Sequence, residues 1–226
     1  MRVYFCALSF CLSLIHKVER PHTMNTDQKI ITLAISGASG VQYGIRLLEQ
    51  LLTHNHKVYL LVTRAAHVVI SMETELSWPA NSRDLHEQLC KRYGVDEQQL
   101  KVCGESEWAS PIASGSSSVD AMVVCPCSMG TLSSIAVGAS ANLLERAADV
   151  ILKERKKLLM VPRETPFSDI HLENMLKLSR MGAVILPANP GFYNHPQTVE
   201  DIVDFMVARI LDHLGIKQAL QPKWGE

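Results

Sequence analysis

Five short, almost unbroken apolar runs punctuate this chain: ITLAIS (31–36), VYLLVT (58–63), AMVVC (121–125), LLMVP (158–162) and AVILP (183–187). A run that is apolar at every position, not at alternate ones, suits a strand covered on both faces. Between the runs lie helical patterns. Ile45, Leu48 and Leu52 share one face of 41–52, and 142–155, 169–179 and 199–214 carry similar apolar stripes. Strands alternating with helices predict an α/β fold, a doubly wound parallel sheet with helices on both faces. The stretch 78–118 is more polar and less periodic and is expected to hold a helix and a long excursion within the same domain. With 226 residues, 47% of them hydrophobic, the chain is long enough for one well-filled core.

The formal net charge of −1 offers no broad basic surface for nucleic acid or an anionic membrane, so an anionic ligand must be held by a local cluster. The six cysteines form no repeated CxxC framework and read as reduced thiols of a cytoplasmic protein. Residues 3–15 are nearly all apolar, yet too short to span a bilayer, and no small-residue cleavage site follows in HKVERPHT. Met24 stands directly before the polar MNTDQK and offers an alternative start. Residues 1–28 are therefore expected to be a dispensable or disordered extension, with a functional targeting segment as the competing reading, and 29–226 one domain.

The first strand runs into Ser36-Gly37-Ala38-Ser39-Gly40 with a helix immediately after. In an open α/β sheet such a turn lies at the carboxyl edge, where unpaired helix amides attract an anion. It lacks the Lys-Ser/Thr ending of a Walker A loop and the full GxGxxG of a Rossmann-like dinucleotide site. The second strand ends in Thr63-Arg64-Ala65 without the acid that would hold a ribose hydroxyl, which disfavours NAD and favours a phosphorylated mononucleotide such as FMN. Thr63 offers a hydroxyl to a ligand or caps a helix.

Two further hydroxyl-rich loops, 113–118 and 125–131, supply more donors, and the second directly follows a strand. Cys125 and Cys127 form a lone CxC without histidines at ligand spacing and read as small buried residues. Arg146 and Lys153 stand seven apart, hence two turns apart on one helix face, while Arg163-Glu164 ends a strand and Tyr193 follows a Pro-Gly-Phe turn. Such a set can grip one phosphate through arginine, lysine and tyrosine. No aspartate-rich motif suggests Mg²⁺ around a diphosphate, so no metal is expected.

Together the segments SGASGVQYG, PIASGSS, CPCSMGTLSSIAVGASANLLERAADVILKERKKL, VPRETPFSDIHLENMLKLSRMGAVILPANPGFY and PKWGE resemble the UbiX-like flavin prenyltransferases from residue 30 to the end. The resemblance implies transfer of a dimethylallyl group from dimethylallyl phosphate to N5 and C6 of reduced FMN. The product, prenylated FMN, would serve a UbiD-like decarboxylase associated with ubiquinone biosynthesis. It also implies that Gly37, Ala38, Ser39, Thr63, Ser128, Met129, Gly130, Thr131 and Arg163 contact FMN. Arg146, Lys153, Arg163, Tyr193 and Arg209 would bind the prenyl phosphate, some of them reaching in from a neighbouring subunit of a homo-oligomer, typically a dodecamer. Glu164 and Ser39 are the implied catalytic groups, with Trp108 and Trp224 as an apolar wall. For Glu164 the competing expectation is an ion pair with Arg163 or Lys153, and for Trp108 it is core packing. The rival functions are a flavin-dependent cysteine decarboxylase, whose PxMNxxMW segment is replaced here by Pro187-Ala188-Asn189-Pro190-Gly191-Phe192-Tyr193, and a non-catalytic FMN carrier.

Overall fold

The computed structural model describes residues 28–222. Trp224 and most of the expected N-terminal extension lie outside them. Six strands, β1 (Ile30–Ile35), β2 (Lys57–Val62), β3 (Leu100–Cys103), β4 (Ala121–Cys127), β5 (Lys157–Pro162) and β6 (Val184–Ile185), form one sheet in the order β3-β2-β1-β4-β5-β6. Every pairing is parallel. The described helices are α1 (Val41–Thr53), α2 (Arg64–Glu73), α3 (Ser82–Tyr93), α4 (Met129–Ala136), α5 (Leu143–Lys153), α6 (Asp169–Arg180) and α7 (Val199–Leu214). None of them is long and apolar enough to cross a membrane.

Alternate residues of each central strand feed two separate cores. Ile31, Leu33 and Ile35 of β1 and Val123 and Cys125 of β4 join the apolar faces of α1, α3 and α7. Ala34, Met122, Val124 and Cys127 join α4, α5 and α6 on the other face. Strand order runs outward in opposite directions from β1 and β4, so right-handed crossovers place their helices on opposite faces and leave a crevice at the carboxyl ends between these two strands.

Local sequence sets most boundaries. Asn142 caps α5 by accepting from Glu145 N at 2.9 Å. Ser168 with His171 and Thr198 with Asp201 form reciprocal capping boxes at the starts of α6 and α7. Helix α1 has no cap from its own N-cap residue; the Glu73 carboxylate at the end of α2 accepts from Gly40 N at 2.9 Å and Val41 N at 3.3 Å. Arg46 then donates to both carboxylate oxygens of Asp204, at 2.7 and 3.0 Å, which pins α1 to α7. Gly44 lets α1 lie directly on the sheet, because a Cβ there would stand 2.3 Å from the Cys125 carbonyl oxygen.

The crevice is closed at its base by Ser36, a residue with no solvent exposure. Its hydroxyl donates to Pro126 O at 2.9 Å and accepts from Ser128 N at 2.8 Å, while its own amide donates to Pro126 O at 3.2 Å. These bonds join β1 to β4 where the β4–β5 register is interrupted between Val124 and Cys127. Ser36→Ala removes both side-chain bonds and orphans the partly buried Ser128 amide, so chemical denaturation should show a loss of about 1–3 kcal/mol. An unchanged midpoint would mean that the backbone alone holds the junction.

Candidate functional site

The crevice gathers the sequence-predicted FMN residues from four strand ends. After β1 come Gly37, Ala38 and Ser39; after β2, Thr63; after β4, Ser128 to Thr131; after β5, Arg163. Gly37 fits against α2 only without a side chain, since a Cβ would lie 2.4 Å from that of Ala65. Arg163 reaches across to donate from Nε to Ser39 O at 3.2 Å, tying the β5 end to the first loop.

Thr63 caps α2, accepting from Ala66 N at 3.1 Å; that bond uses one lone pair and leaves the hydroxyl able to serve a ligand as well. Ser128 likewise caps α4, accepting from Thr131 N at 3.3 Å and donating to Thr131 Oγ1 at 3.1 Å. The amides of Met129 and Gly130 belong to the first turn of α4, where a helix cannot satisfy its own donors. A Cβ at Gly130 would meet no atom within 4 Å, so this turn borders open space. Hydroxyls, first-turn amides and one guanidinium therefore border the same crevice, a donor set that fits the hydroxyls, carbonyls and phosphate of a flavin mononucleotide. One expectation is corrected: the amide pole of α1 is not open to an external anion, because Glu73 occupies it. Ser36 and Glu73 were not among the predicted site residues. The position of Ser36 as the last residue of an apolar run could have singled it out, whereas nothing in sequence relates Glu73 to a turn 33 residues earlier.

Apart from Arg163, the prenyl-phosphate candidates separate into two groups on opposite faces of the sheet. Arg146 and Lys153 belong to α5, beside the 113–117 loop; Arg146 Nε donates to Ala113 O at 3.1 Å. Tyr193 and Arg209 border a cavity of about 640 Å³ against α7, which packs on the other core. One protomer does not bring all four together. Each cation of these two groups has a carboxylate neighbour: Arg146 with Asp149 at 2.9 Å, Lys153 with Glu154, and Arg209 with Asp212 at 3.1 Å. Lys153 holds Glu154 below the usual carboxylate range.

Glu164 follows Arg163 at the carboxyl edge and accepts from Thr165 N at 3.1 Å. Among the described residues the competing reading of Glu164, an ion pair with Arg163 or Lys153, does not form. Trp108, at 50% exposure, is not the core residue that a buried aromatic would be; it projects from the turn after β3. Cys125 and Cys127 are fully buried on opposite faces of β4, and burial pushes both thiols well above their ordinary range. With both held as inaccessible thiols, alkylation of native protein near pH 8 followed by peptide mass spectrometry should, among the described cysteines, label the partly exposed Cys90 before Cys125 and Cys127. Rapid labelling of Cys127 without unfolding would contradict its placement.

A family model described as Flavoprotein matches residues 19–211. Flavin prenyltransferase UbiX of Pseudomonas aeruginosa is 57% identical over 196 residues, spanning 87% of this chain and 94% of the relative. Among solved structures, AnUbiX in complex with FMN and dimethylallyl pyrophosphate is 38% identical with a TM-score of 0.78, covering 88% of this chain and 98% of that one. A dodecameric FMN-dependent UbiX-like decarboxylase from Escherichia coli O157:H7 is 41% identical with a TM-score of 0.75, covering 87% and 99%.

Proposed function

The chain belongs to the flavin prenyltransferase family, and on that basis we propose that it transfers a dimethylallyl group from dimethylallyl phosphate to reduced FMN. The observation that carries this reading is the pairing of a hydroxyl- and amide-lined crevice with two cationic half-sites, one on each sheet face. A plain FMN carrier needs the crevice alone. The cysteine decarboxylase reading is not favoured, because Pro187–Tyr193 stands where its substrate segment would be and the family membership is that of the prenyltransferases.

Gly37, Ala38, Ser39, Thr63, Ser128, Met129, Gly130, Thr131 and Arg163 hold the flavin in this proposal. Reduced FMN, when bound, supplies the nucleophile, N5 for the first bond and C6 for the second. The allylic carbon–oxygen bond breaks with its electron pair leaving on phosphate, and Arg146, Lys153, Arg163 and Arg209 provide fixed positive charge for that leaving group. Tyr193 adds a hydrogen bond, and the carboxylates beside the cations restrain their side chains. Forming the second bond opens the remaining alkene, so Glu164, free of an ion pair among the described residues, would relay a proton to one alkene carbon as the other bonds to C6 and take up the proton that C6 loses, with Ser39 near the same edge. Trp108 and Trp224 shield the cationic prenyl group from water. The donor is the monophosphate, although the AnUbiX structure holds the pyrophosphate, since the cations here are already partly balanced by Asp149, Glu154 and Asp212. The prenylated product passes to a UbiD-like decarboxylase in the cytoplasm.

Because the half-sites face opposite ways, a complete phosphate site takes α5 from one subunit and α7 from another, as a dodecamer of the kind described for the E. coli relative would allow. Arg146→Ala and Arg209→Ala should each raise KM for dimethylallyl phosphate while sparing FMN affinity. Co-assembled in equal amounts, the two variants should recover about a quarter of native activity, the statistical share of intact interfaces. No recovery would contradict a shared site. Glu164→Gln should retain FMN and stall before the second bond; a normal yield of the doubly bonded product would remove the acid–base assignment.

A further inference from the structure

The serine-rich loop 113–118 is rooted in the core by Ile112 before it and Val119 after it, and between these anchors it has neither strand nor helix. Basic side chains from α5 and the turn beyond it meet the loop in order. Arg146 Nε donates to Ala113 O at 3.1 Å, the Lys153–Glu154 pair rests against Gly115, and Lys156 Nζ donates to Ser117 O at 2.9 Å. Within the loop Ser117 N donates to Ser114 O at 3.1 Å, so whatever fixes Ser117 also fixes the turn that carries Gly115. A Cβ on Gly115 would lie 2.6 Å from Lys153 Nζ and 2.9 Å from Glu154 Cδ; the backbone itself is the surface on which that pair is laid. Lys156 is partly buried in the short connection between α5 and β5. Lys153, and to a smaller extent Lys156, hold Glu154 below the usual carboxylate range.

From this order of contacts we infer that Lys156 is a positioning residue of the α5 half-site: by pinning Ser117 O it holds the 114–117 turn against α5, so that Gly115 sets the Lys153 ammonium where a phosphate meets it. The inference rests on the prenyl-phosphate role proposed above for Lys153. Lys156 touches no reacting atom. Arg146 holds the near end of the loop at Ala113, Lys156 holds the far end at Ser117, and Gly115 lies between the two fixed points. A loop of small polar residues has little side-chain packing of its own, and a charge-assisted bond to its backbone supplies the missing restraint. A lysine laid on a fixed surface loses less freedom when its anion arrives than one that moves in water.

The test is a double-mutant cycle on the full chain, with Lys156→Met, Lys153→Met and the pair, measured under anaerobic conditions with reduced FMN and dimethylallyl monophosphate. Lys156→Met keeps the apolar stem and loses the donor. It should raise KM for the prenyl donor about three- to tenfold, the size of one hydrogen bond, with kcat and the FMN Kd each within about twofold, and Lys156→Arg should restore the native value. Calorimetric titration of the FMN-loaded protein with inorganic phosphate should show the same loss of affinity without turnover. In the Lys153→Met background the Lys156 substitution should have almost no further effect, because the ammonium it positions is gone. An equal fold loss in both backgrounds would mean that Lys156 acts through its charge alone, and a lowered kcat with an unmoved KM would mean a merely structural role; either result overturns the inference. Full activity of Lys153→Met would instead remove that lysine from the phosphate site, and the role of Lys156 with it. Should Lys156→Met fold poorly, Gly115→Ala moves the Lys153 head from the loop side at a glycine without a left-handed φ, and the same non-additivity with Lys153→Met decides the question.

Discussion

Where β1 and β4 lie side by side, the chain reverses its direction of winding, and a buried hydroxyl holds the two strand ends together. Ser36 bonds to Pro126 O and Ser128 N, so the first ligand loop and the start of α4 are set by one side chain. Everything in the crevice is referred to that junction. Gly37 to Ser39 leave from it on one side, and Ser128 to Thr131 leave on the other. Arg163 spans back to Ser39, closing the third side of the crevice. A polar group buried so completely is tolerated because both its donor and acceptor capacity are used.

The same winding that creates the crevice also splits the cationic residues. Helices on the β4–β5 side carry Arg146 and Lys153 over one core, and α7 returns to the other core with Arg209. The topology thus separates flavin binding, which one protomer can assemble, from phosphate binding, which it provides in halves. Charge balance follows the same logic. Each half-site keeps an acid beside its base, so the isolated protomer does not expose a concentrated positive field, consistent with a net charge near zero.

The central strands were legible because burial on both faces leaves little room for polar residues; the expected 31–36 is shifted from β1 by one residue at each end, and 158–162 misses only the first residue of β5. The edges were less legible. Leu100–Cys103 was absorbed into the polar excursion because it is four residues long and includes Lys101, and 183–187 pairs only over Val184–Ile185 against a single neighbour. Helix α2 was not read, its Val68 and Met72 being apolar on an exposed face that blurs the periodicity. Motif residues at strand ends were found by position and resemblance. Contacts across the fold were not: Glu73 capping α1, Asp204 clamping Arg46, and Phe205 under Tyr193 depend on packing between elements distant in sequence.

The central claim is that this protein alkylates the flavin it binds, and the most direct measurement is mass spectrometry of flavin extracted after anaerobic incubation with reduced FMN and dimethylallyl phosphate. A mass gain of one five-carbon prenyl unit is the expected result. Unmodified FMN recovered from folded, flavin-loaded protein would contradict the transfer and leave a crevice that binds flavin without reacting with it.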